Sequence, residues 1–413
     1  MKSRLNPIYL LVGWVCLYVP IASAQTNSLD PRTALPSACI APSEQTGGLD
    51  FTADSSYLRL GSAGNETYAS IDGERMKHLV EQQAEIARRY RQADNQYWGR
   101  IIGTSADRET AEWMMDQLRQ SGAEDVRLDS IALPTQWFPQ SWQLTVESDG
   151  EATELASAWP AYGSVGTSQA GAKLELIDGG LGMATDFQGR DVSGKAVVIH
   201  SIATSSTVFN SARRIGALER AERLGAAAIF LVLELPGNLQ TAFYDVGTSV
   251  PTFSIGSEDA ALLQRLLTDA ATTEPVEIDV QLDVDYIDGL STSSVRGEVP
   301  AASPDAEKII IVAHRDAYFE GAADNASGVA TALELMRYFA QIPKAERKRT
   351  VEIIGTPGHH NIARTGFSWL YENRESILDK AVLLINAEHT AHALIDRFND
   401  ELCTTNTMGP FSW

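Results

Sequence analysis

The sequence predicts an α/β protein built on a mostly parallel sheet, with a second strand-and-helix module inserted into it. Three observations point there. From about residue 289 onward, short apolar runs alternate with amphipathic helical stretches, the pattern of strands buried on both faces beneath covering helices. A similar alternation, more heavily punctuated by glycine, fills residues 151–288. Five of the seven histidines lie from position 314 onward, close behind apolar runs rather than spread along the chain. At about 150 residues per domain, 413 residues also make two or three domains the natural expectation.

Residues 1–24 read as a secretory signal: Lys2 and Arg4 precede an apolar run over 8–23, and Ala22-Ser23-Ala24 is a small-residue cleavage site before Gln25. The run contains Pro20 and falls short of the roughly 20 apolar residues a spanning helix needs, so no stable membrane anchor is expected. Val15 before Cys16 argues against a lipoprotein site. The mature chain is therefore expected to be secreted or periplasmic. It keeps Cys39 and Cys403, which permit one disulfide that the sequence neither requires nor excludes. Asn65-Glu66-Thr67 is a formal glycosylation acceptor, relevant only in a eukaryotic secretory route.

Residues 25–60 are rich in Ser, Pro, Thr, Asp and Gly without sustained periodicity and read as an N-terminal arm. Residues 61–150 form the first part of a domain. Helical spacing begins at Ile71, with Met76, Leu79, Val80, Ile86, Ala87 and Tyr90 on one stripe. A second helix follows Ser105 as N-cap, buries Ala111, Met114, Met115 and Leu118, and stops at Ser121-Gly122. Strands are expected over 126–133 and 142–147.

The inserted module, 151–288, has expected strands over 173–177, 196–200, 226–233 and 251–255, with helices over 211–224 and 258–269. Residues 289–413 complete the first domain. Strands are expected over 294–299, 308–313, 350–355 and 381–386, with helices over 327–340 and 365–372. The closing residues 399–413 carry no strand pattern, so this sheet reads as incomplete.

Composition narrows the chemistry. Lys plus Arg total 33 against 54 Asp plus Glu, and a formal charge of −21 repels phosphate backbones, which excludes nucleic acid as an expected partner. With 44% hydrophobic residues the chain can bury ordinary cores. No Gly-x-Ser-x-Gly elbow and no phosphate-cradling glycine loop stands at a strand–helix turn.

In sheets with parallel strands, ligands bind at the carboxyl ends, and the histidines fall there. His314 closes the expected strand 308–313 in His314-Arg315-Asp316, and Asp324 follows in Gly321-Ala322-Ala323-Asp324-Asn325-Ala326-Ser327-Gly328 just before a helix. Singly, His314 reads equally as a hydrogen-bonded loop histidine and Asp324 as a helix cap. Together they favour a metal, because zinc takes imidazole nitrogen and carboxylate oxygen, and one carboxylate can bridge two ions. Asp316 is placed to orient the His314 ring.

These motifs resemble the secreted zinc-dependent exopeptidases of the bacterial leucyl aminopeptidase and glutamate carboxypeptidase type, from Trp98-Gly99-Arg100-Ile101-Ile102-Gly103-Thr104 to Asn386. The module between resembles a protease-associated domain in Asp191-Val192-Ser193-Gly194-Lys195-Ala196-Val197-Val198 and Val250-Pro251-Thr252-Phe253-Ser254-Ile255. The resemblance makes 61–150 and 289–413 a catalytic domain, aminopeptidase chemistry its activity, peptides or proteins its substrates, and two Zn2+ ions its cofactor. It makes His314 a ligand of one zinc and Asp324 the bridge, with the Asp324–Asn325 peptide cis.

Where the family has two consecutive glutamates, a general base and then a second-zinc ligand, this chain has His359 and His360. His360 then becomes the ligand and His359 the candidate base. Glu388 stands where the family has an aspartate ligand, with His389 and His392 as further nitrogen donors nearby. The family's last histidine ligand lies farther along than this chain reaches. The competing reading is a peptidase-like binding protein that recognises peptides without hydrolysing them.

Overall fold

The computed structural model describes residues 68–148, 151–202, 210–235, 237–243, 247–270, 275–360, 365–390, 393–398 and 401–408. The secretory signal, the arm at 25–60, Cys39, Asn65-Glu66-Thr67 and His392 lie outside the described residues. None of the described helices is long and apolar enough to cross a membrane.

The first described helix, α1 (Gly73–Gln92), starts where Asp72 accepts the amides of Glu74 and Arg75, and it buries Leu79, Ile86 and Ala87 on the expected stripe. Gln83 is buried on that stripe too, because its amide nitrogen donates to the carbonyls of Leu79 and Ala326. After the short strand β1 (Gly99–Arg100), helix α2 (Ser105–Gln120) is capped by Thr104, one residue earlier than the sequence suggests. Thr104 Oγ1 accepts the Asp107 amide while Asp107 Oδ2 accepts the Gly103 amide, a reciprocal cap that leaves Ser105 inside the helix. Gly122 takes φ +89 where the helix stops.

Strand β2 (Glu124–Ala132) leads out of this domain. An eight-stranded sheet then follows, made of β3 (Gln136–Ser148), β4 (Glu151–Glu154), β5 (Trp159–Pro160), β6 (Ala172–Asp178), β7 (Ala196–Ser201), β8 (Ala228–Leu233), β9 (Thr252–Ile255) and β10 (Glu277–Ile287), in the order β4-β3-β10-β6-β7-β8-β9-β5. Strands β6 to β9 run parallel and the outer pairings are antiparallel. Strand β3, read from sequence with the first domain, pairs along β10 and belongs to this sheet. Every residue of β8 is buried, as its uninterrupted apolar run requires. The helix expected over 211–224 is two pieces, α3 (Ser211–Arg214) and α4 (Ala217–Arg223), broken where Gly216 takes φ +63. Helix α5 (Ser257–Ala270) completes the layer.

Strand β11 (Ser291–Val299) returns antiparallel to β2, and the Leu133 amide donates to the Leu290 carbonyl, so the eight-stranded sheet leaves and re-enters at one point between neighbouring strands. Then come β12 (Lys308–His314), the short β13 (Ala317–Tyr318) that pairs with β1, helix α6 (Ser327–Gln341), β14 (Thr350–Thr356), helices α7 (Thr365–Glu372) and α8 (Arg374–Ile377), and β15 (Ala381–Asn386). The second sheet has the order β15-β12-β14-β11-β2. It is mixed: β12 runs parallel to both β14 and β15, while β11 is antiparallel to β14 and β2. The parallel trio sets His314, Thr356 and Asn386 at a common edge.

Helix α6 seals one face with Val329, Ala330, Leu333 and Met336 against Ile311, Ala313 and Ile353. Buried Glu334 on the same helix accepts the Asp72 amide at 2.9 Å, fastening the start of α1. Strand β15 is different: Val382 to Ile385 are between 41% and 52% exposed, so the expected cover on both faces is absent there among the described residues. The tail differs from expectation as well. Residues 401–408 form β17 (Glu401–Met408), antiparallel to β16 (Ala393–Phe398), because hairpin pairing satisfies the backbone where an apolar pattern is missing.

Candidate metal centre

Burial forces the loops beyond β12 into one arrangement. Arg100 is wholly buried, and its guanidinium donates to the backbone carbonyls of Arg315, Gln83, Glu320 and Gly321. Burial lowers its pKa to about 10 against the pull of Asp316 and Asp324, so it stays a cation at neutral pH and clamps the loop. Arg315, also fully buried, reaches the other way to Asp107, Thr292 and Ser293. With the side chain of Arg315 directed inward, its neighbours His314 and Asp316 face the strand end. Both arginines stand inside the motifs quoted above, but the sequence assigned neither of them a role. Gly321, at φ +53, admits this clamp: a Cβ there would sit 2.2 Å from Ala317 Cβ and 2.8 Å from the Arg100 guanidinium.

Asp316 does more than orient a ring. The Nδ1 of His314 approaches the Asp316 carbonyl at 3.2 Å, whereas the Asp316 carboxylate accepts the amides of His359 at 3.0 Å and His360 at 2.9 Å. It therefore fixes the backbone of the histidine pair after β14. Burial opposes its charge, but His314 and His360 outweigh burial and hold the carboxyl well below the usual range.

Asp324 is carried on a distorted turn, Ala322–Ala326, and the Asp324–Asn325 peptide is cis, as the resemblance implies. Asn325 bonds the His314 and Ala387 carbonyls through its side-chain nitrogen, and its oxygen accepts the amides of Gly328 and His389. One asparagine thus ties the ends of β12 and β15 to the start of α6.

The donors converge. Asp324 Oδ1 lies 3.1 Å from His314 Nε2, 3.2 Å from His360 Nε2 and 3.2 Å from His389 Nε2. Glu388 Oε1 lies 3.7 Å from His314 Nε2, 3.6 Å from His359 Nε2 and 3.9 Å from His389 Nε2. Two donors on one tetrahedral zinc, each about 2.0–2.2 Å from it, lie roughly 3.3–3.6 Å apart. These spacings suit a shared cation. His314 Nε2 is buried and, although close to Asp324, is out of hydrogen-bonding alignment with any described group. A buried nitrogen facing two carboxylates at 3.1 and 3.7 Å is placed as a metal ligand would be. The residues present fit a zinc-type ion, with the groupings His314–Asp316–His360, His314–His359–Glu388 and Asp324–Glu388–His389 each compact enough to share one.

Electrostatics agree with the placement. Burial opposes charge on Asp324, yet His360, His314 and His389 hold its carboxyl far below the ordinary range. The His314 interaction and a bond from Asn386 lower Glu388 to about 2 despite burial. His359, stacked on His314 at 4.3 Å, is pushed down to about 4 by burial and by the two neighbouring histidines.

The expected ligands His314, Asp324, His360 and Glu388 are therefore brought together, with His359 and Asp316 beside them. His389 joins them more closely than sequence reasoning ranked it. Its only sequence signal was its place next to Glu388. A small pocket adjoins His360 and Asp316, lined by Ile101, Trp137, Phe138, Tyr162 and Tyr318 and so shared between the two sheets.

Comparison with known proteins places this arrangement. Residues 294–390 match the profile of Peptidase family M28. No curated protein sequence matches the chain. Among solved structures, the chain is similar to an M28 peptidase precursor from Shewanella amazonensis, with 18% identity, a TM-score of 0.60, and coverage of 81% of this chain and 74% of that one. It is also similar to a zinc aminopeptidase from Bacillus subtilis, with 19% identity, a TM-score of 0.55, and coverage of 76% and 68%. At these identities the likeness establishes the fold: the chain has the mixed α/β architecture of those peptidases.

Proposed function

We propose that the protein is a zinc-dependent exopeptidase, of aminopeptidase type, that hydrolyses terminal peptide bonds. The observation that carries this reading is the convergence of three imidazole nitrogens on one oxygen of Asp324, with Glu388 beside them. The M28 match over 294–390 and the fold shared with a zinc aminopeptidase support the same class.

His314, Asp324, His360 and Glu388 would hold two zinc ions. The chemistry such ions supply when bound is an activated water and withdrawal of charge from the scissile carbonyl. The chain's own residues do the rest. Arg100 and Asn325 hold the ligand loops rigid, which keeps the donors aligned without reorganisation. Asp316 positions His359 and His360 through their amides.

His359 is neutral above about pH 5 in the metal-free chain, so its ring can accept a proton from the attacking water. The apolar pocket at His360 takes the side chain next to the cleaved bond, and substrates are peptides or proteins. The eight-stranded sheet serves as a protease-associated domain that shapes this pocket through Trp137, Phe138 and Tyr162. The mature chain works outside the cytoplasm after loss of residues 1–24.

The deciding assay uses amino-acid anilides and short peptides with free or acetylated amino termini. Hydrolysis of the free forms, its loss on chelation and its return with Zn2+ are expected. Undiminished cleavage after exhaustive chelation, or preference for acetylated peptides, would overturn the reading.

A further inference from the structure

We infer that His389 is itself a metal ligand, so that the centre is bound by more nitrogen than the four expected donors provide. The inference rests on the reading of this site as a metal-dependent peptidase centre and adds a ligand to it. A single carboxylate oxygen offers about two lone-pair positions, yet Asp324 Oδ1 has three imidazole nitrogens around it, from His314, His360 and His389, all at 3.1–3.2 Å. Hydrogen bonds alone cannot accommodate all three well. A cation among them does, since each separation is close to the edge of a tetrahedral zinc shell.

The backbone at His389 is built for this aim. His389 takes φ +50, in the left-handed region that a non-glycine residue seldom occupies. It is held there by its amide, which donates to Asn325 Oδ1 at 3.1 Å. The same asparagine fixes the strand end bearing His314. In an extended conformation the ring after Glu388 would alternate to the other side of the chain. The left-handed turn instead brings Nε2 to within 3.2 Å of Asp324 and 3.9 Å of Glu388, and these three donors form one compact grouping. With His314, His359 and His360 alongside, the donor set is rich in imidazole, which favours zinc, cobalt, nickel or copper over manganese or magnesium.

The test is uptake of Co2+ by the purified chain, followed by equilibrium dialysis and by the visible absorption of the bound ion. The native protein is expected to take up two Co2+ per chain. His389→Ala should retain one tightly and bind the second at least tenfold more weakly. His389→Cys should restore uptake and add a sulfur-to-cobalt charge-transfer band in the near ultraviolet, absent from the native protein and from His389→Ala. A merely structural histidine would not move that band.

Unchanged isotherms in His389→Ala would overturn the inference while leaving the metal-centre reading intact. So would weakened uptake in His389→Ala without a band in His389→Cys, which would make the residue a structural support. No Co2+ uptake by the native protein would sink both.

Discussion

The end of the five-stranded sheet and the body of the eight-stranded sheet treat charge in opposite ways. Around β12, β14 and β15 the protein buries Arg100, Asp107, Arg315, Asp316 and His314, all less than 5% exposed. Among the described residues between β3 and β10, no charged side chain is buried. Ion pairs there, such as Lys173 with Glu147 and Glu277, have side chains about half exposed. The core of that sheet is instead Leu, Ile, Val, Phe and Trp, with Trp137 and Trp142 bonding backbone carbonyls through their indole nitrogens. Removing an ion from water costs several kcal/mol even after relaxation. The protein accepts that cost only in the domain of the five-stranded sheet, at Glu334 and Glu352 as well as at the strand ends, where it yields a fixed constellation of donors.

The sharpest way to break the contrast is to remove a donor. His314→Ala or Asp324→Ala is expected to abolish detectable hydrolysis and lower zinc content, measured as activity and as metal per chain. Full activity with unchanged zinc would mean that the buried charges are structural. His359→Ala tests a different part: hydrolysis should fall by about 10²–10⁴-fold with zinc content unchanged, if the ring takes a proton from water.

Support for the site should be costly to remove in stability rather than in chemistry. Asp107→Ala leaves the Arg315 guanidinium buried without its carboxylate, which is expected to cost about 3–5 kcal/mol in denaturant unfolding. An apolar pair, Asp107→Leu with Arg315→Met, should recover much of that loss. If the single and double variants unfold alike, the buried pair is not the anchor described here.

A smaller effect concerns pH. In the metal-free chain burial disfavours charge on His314, but Asp316, Asp324 and Glu388 outweigh it and hold the imidazolium well above the ordinary 6.5. At pH 7 that proton must leave before Nε2 can bind a cation. Zinc uptake should therefore release protons and strengthen with rising pH, by about tenfold per unit until the raised pKa is passed. Calorimetry in buffers of different ionisation enthalpy reads the proton count, and a count of zero at pH 7 would contradict the assignment. The smallest effect lies on the other sheet. Lys173→Ala removes an exposed pair and should leave melting temperature and hydrolysis unchanged.

Much of this was legible in the amino-acid order. Apolar runs marked the parallel strands of both sheets to within a few residues, because a strand buried on both faces has no room for polar side chains, whereas β10, whose alternate residues are exposed, and the first six residues of β3 were missed. The histidines marked the chemistry, and the resemblance implied the cis Asp324–Asn325 peptide. Polar residues doing structural work were not legible. Gln83, Arg100, Asp107 and Arg315 were given no role in the sequence, since nothing local distinguishes a buried, fully bonded arginine from a solvated one.

The sequence by itself therefore determined which residue types could bind metal and which strand ends would carry them. It did not decide their partners. That Asp316 grips the amides of His359 and His360, and that His389 swings to Asp324 through a left-handed turn held by Asn325, depends on contacts between segments more than forty positions apart. Such contacts exist only once β12, β14 and β15 lie side by side, because hydrogen bonds between distant segments have no local signature and are selected by packing.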